Sequence, residues 1–123
     1  IAPDLDNEEI DALATAATTH DIDGLIATNT TASRGRVAGA RHAEEEGGLS
    51  GAPLLQPSTG VLARLASGID EHTTLVGVGG VVDAAGATAK FLAGAQLIQI
   101  YTGLIYRGPG LIRDAVRAAQ RAG

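Results

Sequence analysis

Apolar residues in the first part of the chain follow two different spacings. A helix is predicted from Asp6 to about His20, because Asp6 and Glu9 form a capping-box pattern and apolar residues follow at the spacing of one helix face: Ile10, Leu13, Ala14 and Ala17. The segment GLIATN, residues 24–29, is instead a short continuous apolar run, which is typical of a central parallel strand. A helix followed by a buried strand is therefore the first predicted unit.

A long stretch without clear periodicity, residues 29–56, separates this strand from the next helix. Loops of that length in a compact domain are usually functional or disordered. The second helix is predicted to begin at Pro57 or Ser58, and its apolar face is formed by Val61, Leu62 and Leu65.

The rest of the chain continues with two more predicted strands, each followed by a helix. The strands are predicted at 74–78 and 95–101, and the helix between them runs from a cap at Asp83 to about Leu92. Pro109 is predicted to open the last helix. One side of that helix is predicted to be buried, through Leu111, Ile112, Ala115, Val116 and Ala119.

The order of elements, one helix and then three strand–helix units, predicts an α/β fold with parallel strands and right-handed crossovers. Two architectures fit this order: an open doubly wound sheet, and a segment of an eight-stranded barrel. The units that begin near residues 74 and 95 are short and evenly spaced, which slightly favours the barrel.

Composition narrows the possible functions. The chain is 45% hydrophobic but only 2% aromatic, so the core is built from Ala, Val, Leu and Ile. A net charge of −5 gives no basic stripe, and we expect no nucleic-acid binding. The chain contains no Cys, and its three His residues have no second ligand at metal-binding spacing, so no metal site is expected. The first residue is Ile1 and Met is absent, which suggests a segment of a longer protein.

Glycine and hydroxyl residues follow the last two predicted strands. Gly79 and Gly80 stand between a strand and a capped helix, where their N–H groups can form an anion site, although a tight turn alone also calls for glycine. The next strand ends in Tyr101, Thr102 and Gly103. Because β/α barrels often bind phosphate after their last two strands, the pair favours a phosphate site. The spacing does not fit the G-x-G-x-x-G pattern of dinucleotide folds.

Two further stretches could contact a ligand. Asn29, between Thr28 and Thr30 at the end of the first strand, offers a donor and an acceptor that suit the edge of an imide or amide; a local Asx turn is the alternative. The long loop closes with GGLSGAP, residues 47–53. Its glycines, Gly51 among them, let the backbone pass close over a flat ligand, or serve as a flexible hinge.

Four segments together, ATNTT, GGLSGAPL, GVGG and QIYTGLIYRGP, resemble the C-terminal part of the dihydroorotate dehydrogenases, specifically the membrane-associated, quinone-using class. The opening IAPDL extends the resemblance over the whole chain, and IYTGLIYRGP is the part that points to the quinone class. The resemblance implies a (β/α)₈ TIM barrel. Residues 1–123 would then be the C-terminal segment of one FMN-binding barrel domain, with roughly its last three strand–helix units.

The resemblance also implies roles for the residues singled out above. The cofactor is FMN, with Gly79, Gly80, Tyr101 and Thr102 at its phosphate end and Thr28 and Gly51 along the flavin. Asn29 and Thr30 bind the pyrimidine of dihydroorotate, which is oxidised to orotate in pyrimidine biosynthesis. In this class the catalytic base is a serine on an upstream loop, so no residue of this chain is assigned to that role, and the isolated segment is expected to be inactive.

The class further implies a quinone that reaches the protein through an upstream region, and a peripheral membrane location on the cytoplasmic side of a bacterial inner membrane. Membrane contact is expected only through that upstream region. Two alternatives stay open: another FMN or phosphosugar barrel enzyme, and a non-catalytic half-barrel that binds phosphate. Asn29 followed by Thr30 is the feature that separates dihydroorotate from other substrates.

Overall fold

Three parallel strands form the centre of the protein in a computed structural model, which describes residues 1–122. The strands are β1 (Gly24–Ala27), β2 (Thr74–Val78) and β3 (Leu97–Gln99), and they lie in the order β1-β2-β3. Both neighbouring pairs are parallel; Ala27 lies beside Gly77, and Val78 lies beside Gln99. The prediction of a parallel α/β sheet is confirmed, and the carboxyl ends of all three strands lie along one edge.

The first helix, α1 (Asn7–Thr19), begins with the predicted capping box. The Glu9 N–H donates to Asp6 Oδ1, and the Asp6 N–H donates to Glu9 Oε2, both at 2.9 Å. This reciprocal pair satisfies two backbone groups that a helix start otherwise leaves open. The buried face consists of Ile10, Ala14 and Ala17.

The second helix, α2 (Leu55–Gly68), begins slightly earlier than predicted, directly after a 3₁₀ turn at Ala52–Leu54. Pro57 therefore lies within its first turn rather than at its start. A proline is tolerated there because the first N–H groups of a helix have no partner inside the helix. The third helix, α3 (Ala84–Leu92), has the predicted bounds, and Asp83 Oδ1 accepts from the Gly86 N–H at 2.8 Å.

The structure differs from the prediction in two ways near the end of the chain. β3 is shorter than the predicted strand at 95–101, and a helix that was not predicted, α4 (Thr102–Arg107), follows it closely. Six residues are less than two helical turns, so α4 is too short to show a periodic pattern.

The last helix, α5 (Gly110–Ala122), packs against α3 with a face that differs from the predicted one. Leu111, Ala115 and Ala118 are buried, whereas Ile112 and Val116 are 50% and 52% exposed. The buried residues lie at i, i+4 and i+7, and two of them, Ala115 and Ala118, form a cluster with Val81 and Ala87. Ile112 and Val116 are each one residue further along, about 100° around the helix, and so lie off this contact face.

The main core lies between the sheet and the pair α1 and α2. Its buried members are Ile10, Ala14, Ala27, Val61, Leu62, Leu65, Leu75 and Ala95. All of them are aliphatic, as the low aromatic content predicts. Within residues 1–122, no helix combines the length and the low polarity needed to cross a bilayer.

Candidate functional site

A cleft with a volume of about 290 Å³ lies at the carboxyl edge of the sheet. We call it the carboxyl-edge cleft. The residues that follow each of the three strands line it, because parallel strands end at the same edge. The structure brings together in this cleft every residue that the sequence proposed for a site: Thr28, Asn29, Thr30, Gly51, Gly79, Gly80, Tyr101 and Thr102.

The turn after β2 requires its glycines. Gly79 and Gly80 have φ angles of +104° and +77°, which side chains rarely adopt. A Cβ at Gly80 would lie 2.3 Å from Leu55 N and 2.4 Å from Leu55 Cα, so the turn touches the backbone at the start of α2. The Gly80 N–H has no acceptor among the hydrogen bonds of residues 1–122. The turn is therefore tight, and it also leaves this donor available for an anion.

The segment after β3 faces this turn across the cleft. The Tyr101 side chain is 78% exposed, and the Thr102 hydroxyl donates to Ser50 Oγ at 2.9 Å. A Cβ at Gly103 would lie 2.0 Å from the Val81 carbonyl oxygen, so α4 packs directly on the segment that follows the glycine turn. Ser50 also lines the cleft, and sequence reasoning did not assign it a ligand contact.

The segment after β1 contributes polar groups to the cleft. Thr28 follows a cis peptide bond, is 3% exposed, and its hydroxyl donates to the Asn29 carbonyl at 2.9 Å. Asn29 Oδ1 accepts from the Thr30 N–H at 2.8 Å, which is the local bond of the alternative interpretation. The Asn29 amide nitrogen has no acceptor within residues 1–122, so one half of the amide holds the turn and the other half can donate to a ligand.

The glycine-rich end of the long loop passes close to these groups. A Cβ at Gly48 would lie 1.8 Å from Thr30 Oγ1, and one at Gly51 would lie 3.2 Å from Thr102 Cγ2. Gly51 is buried, with a φ of +81°. The loop backbone therefore passes close to Thr30 and Thr102, an approach that glycine permits.

The long loop is held down at both ends. Thr31 and Leu49 form an antiparallel bridge, and Asp4 accepts from the Thr31 hydroxyl and, at 2.9 Å, from the Ala32 N–H. The Arg34 guanidinium donates to four carbonyls: Thr31 and Ala32 at 3.2 Å, Glu45 at 3.1 Å and Gly47 at 2.5 Å. The loop is therefore a clamped segment rather than a free hinge.

We expect Arg34→Lys to loosen this loop, because a lysine ammonium cannot reach four carbonyls in the planar geometry of a guanidinium. Cleavage within residues 35–47 by a broad-specificity protease should become about tenfold faster, as the loss of one or two charge-assisted hydrogen bonds would produce. Arg36→Lys is the matched control, since within the described residues the Arg36 guanidinium makes a single bond, to Gln56 Oε1. Equal cleavage of both variants and the wild type would contradict the clamp.

A buried lysine lies behind the glycine turn, and sequence reasoning missed it. Lys90 on α3 is 0% exposed, and its Nζ donates to Ser58 Oγ at 2.5 Å. Burial lowers the pKa of Lys90 to about 8, because the low-polarity surroundings disfavour its charged form. The available signal was its place on the buried face of α3, three residues after Ala87.

Metal ligation and base catalysis have no obvious residues here. Within residues 1–122, no group of three or more His, Cys, Asp or Glu side chains is placed to hold a metal ion. Ser50, which lines the cleft, is bonded to Thr102, and Ser33 is exposed and outside the cleft lining.

Parallel strands with helical crossovers, and a glycine-lined cleft at their carboxyl edge, fit part of a β/α barrel. Solved structures agree. A crystal structure of DHODH from Eimeria tenella in complex with ferulenol matches 96% of this chain and 31% of its own, with a TM-score of 0.89 and 36% identity. The ligand-free DHODH from Eimeria tenella gives a TM-score of 0.90 and 35% identity over 98% of this chain and 33% of its own.

The family model for dihydroorotate dehydrogenase matches residues 1–120. The chain belongs to the dihydroorotate dehydrogenase family. It is 51% identical over 118 residues to dihydroorotate dehydrogenase (quinone) from Aromatoleum aromaticum, covering 96% of this chain and 34% of that protein. It is 54% identical over 117 residues to the protein of that name from Methylococcus capsulatus, covering 95% and 34%. The chain thus spans about a third of its relatives, and the predicted family and TIM-barrel class are confirmed.

Proposed function

We propose that this chain is part of an FMN-dependent dihydroorotate dehydrogenase that oxidises dihydroorotate to orotate in pyrimidine biosynthesis and passes the electrons to a quinone. One observation carries the proposal. The segments after β2 and β3 carry glycine and hydroxyl residues that suit a phosphate. They line the same cleft as Asn29 and Thr30, whose polar groups suit a pyrimidine. The names of the relatives, which include the quinone, support the same activity.

The cleft fits a flavin phosphate on its own chemistry. The Gly80 N–H has no acceptor among the hydrogen bonds of residues 1–122, and an added Cβ at Gly80 would collide with α2. Gly79, Gly80, Tyr101 and Thr102 would hold the phosphate end, and Thr28 and Gly51 would lie along the ring. Bound FMN supplies the acceptor for the hydride that leaves C6 of dihydroorotate.

The residues of this chain bind and orient the substrate in this proposal. The free amide N–H of Asn29 and the Thr30 hydroxyl donate to or accept from the polar edge of the pyrimidine ring. The resemblance to the quinone-using class implies that the proton at C5 is removed by a base outside residues 1–123, so no residue of this chain is assigned that role. Holding the pyrimidine flat against the flavin is the contribution of this cleft.

The proposal extends to the larger protein. Residues 1–123 form the C-terminal segment of a single FMN-binding barrel domain, and the quinone reaches that domain through a region outside this chain. The protein is placed at the cytoplasmic side of a bacterial inner membrane, which it meets through that other region. The names of the relatives support the quinone, and the resemblance to the membrane-associated class supports the location.

An anaerobic visible spectrum of the natural-length protein, recorded before and after dihydroorotate is added, tests this function. We expect a flavin absorption band that bleaches on addition of the substrate. A band that persists would support FMN as the cofactor but would contradict dihydroorotate as the substrate. A protein without any flavin band would instead support a phosphosugar barrel.

A further inference from the structure

The ammonium group of Lys90 is buried directly behind the glycine turn that lines the carboxyl-edge cleft. The side chain is 0% exposed, and its stem packs against β2, since a Cβ at Gly77 would lie 3.2 Å from Lys90 Cβ. Within residues 1–122, the polar partner of its Nζ is Ser58 Oγ at 2.5 Å, and no carboxylate forms an ion pair with it. A buried cation without a counter-ion is costly, so this arrangement calls for an explanation beyond packing.

The Ser58 hydroxyl connects Lys90 to the glycine turn. An ammonium group can only donate, so Ser58 Oγ accepts from Lys90 and must send its own proton to a carbonyl. Three carbonyl oxygens lie within reach: Leu54 at 2.7 Å, Gly79 at 3.1 Å and Leu55 at 3.2 Å. Two of these belong to the start of α2, and the third belongs to the turn itself.

The single Ser58 proton has its nearest acceptor in the Leu54 carbonyl at 2.7 Å and a longer, shared contact with the Gly79 carbonyl at 3.1 Å; this second contact bears on the direction of the next N–H group. The Gly79 carbonyl and the Gly80 N–H belong to one planar trans peptide group, so they point in opposite directions. A carbonyl held toward buried Ser58 therefore turns the Gly80 N–H away from the interior and toward the cleft. Two successive glycines at positive φ have little intrinsic preference for this orientation, so an external contact is needed to hold it.

We propose that Lys90 is a positioning residue for the phosphate end of the flavin: through Ser58 it holds the Gly79–Gly80 peptide group so that the Gly80 N–H donates to the phosphate, and its ammonium adds positive charge behind that donor. This inference rests on the proposed FMN function. It assigns the lysine no contact with the flavin ring or with dihydroorotate.

A comparison of two flavins in the apo form of the natural-length protein tests this role. Riboflavin has the same ring and ribityl chain as FMN but lacks the phosphate, so a loss of phosphate contacts weakens FMN alone. The variants are Lys90→Met and Ser58→Ala. The matched control is Thr59→Val, which removes the neighbouring hydroxyl on α2, a buried group without a hydrogen-bond partner within residues 1–122. Dissociation constants are measured by quenching of flavin fluorescence.

We expect the FMN dissociation constant to rise about tenfold in Lys90→Met and in Ser58→Ala, the effect of weakening a hydrogen bond to a charged group. The riboflavin constant should stay within about twofold in both variants, and Thr59→Val should change neither, because these changes leave the ring contacts alone. Thermal melting of apo Lys90→Met should match or exceed that of the wild type, because the variant removes an unpaired buried charge.

Two results would overturn the inference: an unchanged FMN constant in both variants, or equal losses for FMN and riboflavin, which would indicate a purely structural role. The ratio of the two constants is measured within each variant, so partial unfolding cannot imitate a selective loss of FMN. A wild-type protein that binds neither flavin would instead overturn the proposed function, and the role of Lys90 with it.

Discussion

Gly80→Ala is expected to abolish FMN binding and to destabilise the protein by about 3 kcal/mol, the sum of a left-handed alanine and an overpacked contact. The added methyl would lie 2.3 Å from Leu55 N and 2.4 Å from Leu55 Cα, and these are backbone atoms that cannot rotate away. Either the glycine turn or the start of α2 must move, and both line or support the end of the cleft that is proposed to bind the phosphate. Flavin content after purification and urea unfolding of the natural-length protein are the measurements.

Gly60→Ala is the matched control for this substitution. Gly60 lies inside α2, and a Cβ there meets nothing within 4 Å. The same added methyl should therefore stabilise the protein, by about 0.5–1 kcal/mol, because alanine favours a helix interior over glycine. A Gly80→Ala protein that keeps FMN with wild-type affinity would show that the turn relaxes without cost, contrary to the geometry.

Asn29→Ala is expected to lower kcat/KM for dihydroorotate by about a hundredfold or more while FMN stays bound, because polar substrate groups then lose their partner in the cleft. The substitution removes both functions of the side chain, the Oδ1 contact with the Thr30 N–H and the free amide donor. Steady-state kinetics and an FMN titration of the natural-length protein measure the two effects separately. Asn7→Ala, at the exposed first residue of α1, is the control.

Asn29→Asp separates the local role of this residue from its ligand role. The aspartate keeps an oxygen that can accept from the Thr30 N–H, so the turn after β1 is preserved. It lacks the N–H donor and adds a negative charge beside an anionic substrate. We expect activity as low as that of Asn29→Ala. An aspartate variant with wild-type activity would mean that Asn29 serves only the turn.

Most of the correct predictions came from sequence patterns whose interacting residues lie within a few positions of each other. The capping box at Asp6 and Glu9 and the cap at Asp83 form because their partners are three residues away, and both lie where the sequence placed them. The convergence of Thr28, Gly80 and Thr102 on one cleft followed from a single topological rule, that parallel strands end at the same edge.

Features that depend on distant packing were not predictable in this way. The apolar residues Ile112 and Val116 fit the helical spacing of α5, but the position of α3 decides which side of α5 is buried. Lys90 was missed for the same reason, because the polar partner of its ammonium group within residues 1–122 is 32 residues away on α2. The four carbonyls that Arg34 contacts come from both ends of a loop whose path has no periodic pattern.

The outer edges of β1 and β3 carry a consequence for how the cofactor and the barrel depend on each other. Within residues 1–122 these strands pair only with β2, and a barrel closes by adding a strand at each such edge. In the proposed holoenzyme, a flavin at the carboxyl edge touches segments that follow all three strands. Closure of the barrel and flavin binding are then linked equilibria. FMN that binds the closed barrel would shift the closure equilibrium toward the closed form by mass action. In that holoenzyme the cofactor would act as a structural ligand as well as a redox group.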